Sequence, residues 1–128
     1  MQTEQFEKII ESQIERCRDT LVTKAVEYAT EDRLHNFRVA AELAGTTPRQ
    51  ALAGMMAKHT VSIYDMCNAY KDYPEDMWNE KIGDHLNYLL LLRAVVEEEF
   101  FTSPPQVAYV GSVEEQTKLD KLRERLSK

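Results

Sequence analysis

Glu80, Asp84 and Asn87 are spaced by four and three residues, so on a helix their oxygen-bearing side chains share one face. Two carboxylates so placed can share a hard divalent cation such as magnesium, which takes oxygen ligands and keeps waters or ligand phosphates in its remaining positions. The same residues also suit an exposed acidic start of a helix, where carboxylates are favoured by the helix dipole. Earlier in the chain, Lys58, Ser62 and Asp65 fall within about 60° of one another at 100° per residue, with His59 beside them between Met55 and Met66. If that stripe faces the acidic one, Asp65 adds a third carboxylate for a metal, and Lys58 and His59 supply positive charge to an anionic ligand. Otherwise Lys58 and Asp65 are solvated and His59 is a satisfied, half-buried histidine.

Residues 27–38 crowd aromatic, basic and amide groups into twelve positions. Tyr28 and Phe37 offer stacking faces, Asn36 can pair with a base edge, and Arg33, His35 and Arg38 can contact phosphate. The alternative assigns Leu34 and Phe37 to the core and Asp32 and Asn36 to capping a short helix. The glycines at 45, 54, 83 and 111 are scattered, which excludes a glycine-rich phosphate loop. Gly83, inside a helical pattern, is expected to permit close helix packing. Three histidines and no paired cysteine spacing leave no basis for structural zinc. Neither Cys17 nor Cys67 has a nucleophile's surroundings, and Cys67 reads as core.

The elements that position these residues are helical. The 128 residues, 43% of them apolar, suffice for one packed core, and four glycines and four prolines argue against an all-β fold. Apolar residues at steps of one, three or four from Phe6 to Tyr28 predict a long first helix over residues 4–30. Leu34, Phe37, Ala40, Ala41 and Ala44 predict a short second helix closed by Gly45. Thr47, Pro48 and Gln50 form a helix start, and the third helix is expected to run to about Tyr70. Pro74 breaks the chain before a fourth helix that ends near Phe101. Leu86 to Val96 is apolar at almost every angle, so that helix is expected to be buried all round, with a second subunit completing its packing. Residues 1–101 thus read as the helical bundle domain. Residues 102–128 read as an extended arm and a C-terminal amphipathic helix, opened by Ser112 and carrying Leu119, Leu122 and Leu126.

With 22 acidic and 16 basic residues the formal charge is −6, which offers no broad cationic surface for duplex nucleic acid. The longest apolar run, residues 88–92, falls far short of the roughly 18 residues of a membrane span. No disulfide framework and no secretory signal are expected, and the expected setting is the cytoplasm.

Residues 80–92, Glu-Lys-Ile-Gly-Asp-His-Leu-Asn-Tyr-Leu-Leu-Leu-Leu, resemble the MazG-like all-α nucleoside triphosphate pyrophosphohydrolases, in which a Glu-Xaa-Xaa-Asp motif precedes a leucine-rich stretch. The resemblance extends over residues 24–97 and is closest to the small phage and prophage branch associated with nucleotide modification. It implies an oligomeric helical bundle that binds magnesium through acidic helices and releases pyrophosphate from nucleotides. Two departures alter that expectation. Lys81 stands three residues before Asp84, leaving Glu80 one position out of register, and Lys58, His59 and Ser62 occupy the region of the family's second acidic motif. Lysine and histidine in place of carboxylates weaken magnesium binding and favour direct contact with phosphate. The combined expectation is a pocket binding a nucleotide or nucleotide-derived signal, with Lys58, His59 and Lys81 on phosphate, residues 28–37 on base or ribose, and sequestration in phage–host conflict as the implied role. One alternative is a magnesium-dependent pyrophosphohydrolase using Asp65, Glu80 and Asp84 as its catalytic metal site. The other is a helical protein-interaction module with no small ligand.

Overall fold

The computed structural model describes residues 1–23, 32–102 and 113–127. Among these residues every regular element is a helix and no strand occurs. The helices are α1 (Thr3–Arg18), α2 (His35–Ala44), α3 (Pro48–Asn68), α4 (Glu75–Val96) and α5 (Val113–Leu126). Two of them continue into a wider turn, α1 through the π-helical Asp19–Thr23 and α4 through Glu97–Phe101. No helix among the described residues is long and apolar enough to cross a membrane.

Local chemistry sets the boundaries. Gly45 adopts φ 65°, the left-handed conformation that closes α2, and the Thr46 amide then donates to the Ala41 carbonyl at 2.9 Å. Thr47 opens α3 as a capping box: the Gln50 amide donates to Thr47 Oγ1 at 3.3 Å, and the Thr47 amide donates to Gln50 Oε1 at 3.0 Å. Pro48 occupies the first turn, where its missing amide costs nothing. Pro74 caps α4, with Glu75 and Asp76 in the first turn; Tyr73 and Trp78 on either side of the cap meet edge to face at 5.9 Å, a staple that fixes the chain's entry. α3 ends at Asn68, two residues before the expected Tyr70. The part of the expected first helix over residues 24–30 and the arm from residue 103 lie outside the described residues.

The core lies where α2, α3 and α4 meet. Leu34, Phe37, Leu52 and Val95 are buried, Leu52 completely, and Met55, Met56, Tyr88, Leu91 and Leu92 pack around them. α4 is the central element, lying against α3 on one side and α1 on another. It is not buried all round in the single chain: Leu89 and Leu90 are 44% and 51% exposed, because these two neighbours leave its third side open. Cys67 also differs from expectation. It is exposed, while Met66, 100° away around the helix, takes the inward position.

Arginines hold the end of α4 to the helices beside it. Arg38 of α2 donates through Nη1 to Asp32 Oδ2 and through Nη2 to Glu98 Oε1. Arg49 of α3 pairs with Glu99 at 2.9 Å, its guanidinium 4.7 Å from the Phe100 ring centroid, and Arg93 pairs with Glu97 at 2.8 Å. Each glutamate of the Glu97–Glu99 run therefore meets a different arginine.

Candidate functional site

The acidic stripe of α4 faces α1. Asp76, Asn79, Glu80, Gly83, Asp84 and Asn87, at steps of one, three or four, form one wall of an open cleft of about 290 Å3. Arg16, Cys17 and Thr20 of α1 and its π turn form the other wall. The helices approach closely because Gly83 has no side chain: a Cβ there would lie 3.3 Å from Gln13 Nε2. The close packing expected at Gly83 is thus present, with Gln13 as the neighbour.

Two buried polar atoms at this junction, Gln13 Nε2 and Asn87 Oδ1, make no hydrogen bond. A buried unpaired donor or acceptor costs about 1–3 kcal/mol, so the α1–α4 junction is poorly satisfied by its own residues.

Asp84 lies between two surroundings. It lines the cleft, and its Oδ2 is 3.9 Å from His59 Nδ1 on α3. The His59 ring is mostly buried against Tyr88, with centroids 4.8 Å apart. One residue along, Thr60 Oγ1 and His85 Nε2 are 3.0 Å apart. His59 therefore lies behind Asp84 and supports that carboxylate from the α3 side.

The expected pocket is only partly assembled. Glu80, Asp84 and Asn87 come together with one another, and His59 comes to Asp84. Lys58 and Asp65 are exposed and Ser62 and Lys81 half-buried, and none of these four lines the cleft. Asp65 does not join Glu80 and Asp84: no group of three or more His, Cys, Asp or Glu among the described residues is placed to hold a metal ion. The physical reason is that Glu80 points to α1, whereas Asp65 is on α3. The expected basic lining is likewise corrected, since three carboxylates and a single arginine line the cleft.

In the second candidate region, Phe37 is 7% exposed in the core and offers no face to a base. Arg38 is engaged by Asp32 and Glu98, which removes it from a phosphate-binding role in this arrangement. Arg33, His35 and Asn36 are exposed at the start of α2 and line no cleft with Glu80 and Asp84. Asp32, through Oδ1, accepts from the Leu34 amide at 3.0 Å, as a helix-start residue does. Tyr28 lies outside the described residues.

Arg16, Thr20, Asp76 and Asn79 were not singled out from sequence. Asp76 and Asn79 extend the Glu80–Asp84–Asn87 stripe by one turn, a signal present in the spacing. Arg16 and Thr20 carry no such signal, because nothing in a single sequence states which helix packs on which. Comparison of the chain with protein-family models, curated proteins and solved structures finds no match.

Proposed function

We propose that this chain is a MazG-like helical protein that holds a nucleotide or nucleotide-derived signal in the α1–α4 cleft. The observation that carries the reading is the convergence of Glu80, Asp84 and Asn87 with Arg16 on one open cleft. Three carboxylates against one guanidinium repel a bare polyphosphate, so phosphate recognition by lysines alone does not suit this lining. Magnesium suits it: two carboxylates one helical turn apart, with ligand phosphates filling other positions, meet its preference for oxygen donors. Bound there, the ion would neutralise phosphate charge, with Glu80 and Asp84 holding it. Arg16 is the fixed positive group for a phosphate oxygen, and Asn79 and Asn87 supply amide donors and acceptors to sugar or base. His59 keeps Asp84 turned toward the cleft.

The test is to incubate the purified protein with a mixed nucleotide and cyclic-nucleotide extract, with and without magnesium, and identify heat-released and solution species by mass spectrometry. Recovery of an unchanged nucleotide only with magnesium supports holding. Conversion of a triphosphate to monophosphate and pyrophosphate assigns hydrolysis to the same cleft. Absence of any bound or consumed nucleotide refutes the reading.

A further inference from the structure

Helix α1 carries more apolar surface than its contacts in the chain account for. Only Cys17 of this helix is buried, while Phe6, Ile9, Ile10 and Ile14 remain 56%, 50%, 42% and 62% exposed within little more than two turns. On α4, the helix against which α1 packs, Leu89 and Leu90 are likewise about half exposed. Together these side chains expose several hundred Å2 of apolar surface. The largest patch on a soluble monomer is about 300–600 Å2 and is often an interaction site, and a standard interface takes about 800 Å2 from each partner, polar rim included.

We propose that a second copy of this chain covers this face by packing its own α1 antiparallel across it, about a two-fold axis near the middle of the helix. The charges of α1 select this occupant and this direction. Glu4 and Glu7 lie in its first half and Arg16 and Arg18 in its last turn. An antiparallel pair sets Glu4 and Glu7 against the partner's Arg16 and the partner's Arg18, twice over by symmetry, and opposes the two helix dipoles. A parallel pair would set like charges side by side. The apolar residues lie between the two charged ends, so a single surface supplies both a dry centre and a complementary rim.

Light scattering and sedimentation equilibrium on the full chain test this. The expected mass is twice the 14.8 kDa of one chain. Ile9→Asp and Ile14→Asp each replace an exposed side chain, and each is expected to yield a monomer with the helical circular dichroism of the parent. Glu4→Lys with Glu7→Lys is expected to weaken dimerisation at least tenfold, and adding Arg18→Glu is expected to recover it. A monomeric parent chain, or a dimer indifferent to both isoleucine changes, overturns the proposal; charge reversal without recovery by Arg18→Glu overturns the antiparallel pairing.

Discussion

Gly83 tests how the cleft is built. In a helix interior glycine is about 0.8–1.0 kcal/mol less favourable than alanine, so Gly83→Ala gains that amount from propensity. Against it stands one close approach, the new Cβ at 3.3 Å from Gln13 Nε2. That atom ends a flexible side chain and makes no hydrogen bond, so it can move by a few tenths of an ångström without losing a partner. A modest rotamer displacement costs about 0.5 kcal/mol or more, leaving Gly83→Ala between neutral and about 0.5 kcal/mol more stable. Leucine at the same position cannot be accommodated by Gln13 alone. Overpacking costs about 1–3 kcal/mol, and the regained propensity offsets less than 1 of it, for a net loss of about 1 kcal/mol. Urea unfolding followed by circular dichroism, fitted with a shared slope, resolves the two variants. Equal stability of Gly83→Ala and Gly83→Leu would refute the close approach of α1 to α4. A loss above about 1.5 kcal/mol for Gly83→Ala would show that Gln13 is fixed in place.

Leu52 is fully buried among Leu34, Phe37 and Val95, so Leu52→Ala should cost about 3 kcal/mol and lower the melting temperature by roughly 10 °C in calorimetry. Leu43→Ala, at a side chain 85% exposed, should stay within about 0.5 kcal/mol in the same assay. Thr47→Ala removes the cap of α3 and should cost about 1 kcal/mol in urea unfolding, with Thr47→Ser retaining most of it. A double-mutant cycle on Arg38→Ala and Glu98→Ala should give a coupling of about 0.5 kcal/mol that shrinks in high salt, because both side chains are more than a third exposed.

Where the sequence was legible, the signal was local. The Gly45 closure, the Thr47–Pro48–Gln50 start and the Pro74 break are each written in a few neighbouring residues, and each appears where expected. The acidic face of α4 was legible for the same reason, since spacing along one helix fixes which side chains share a side. What lies opposite that face was not. Glu80 and Asp84 face Arg16 across the cleft, and Asp65 stays away from it. This pairing depends on helix order and rotation, which periodicity alone does not encode. Phe37 shows the same limit: its ring suits a base or a core equally well by type, and burial against Leu52 and Val95 decides for the core. The apolar second half of α4 was read as wholly buried because its composition has no polar face. Composition does not say how many neighbours one chain supplies, and here Leu89 and Leu90 remain open.

The most direct test of the cleft is a calorimetric titration of the full chain with nucleoside triphosphates, with magnesium and then with a chelator, repeated on Asp84→Asn. Binding that needs magnesium and weakens at least tenfold in Asp84→Asn is the expected result. Nucleotide binding that ignores both magnesium and Asp84 would contradict it.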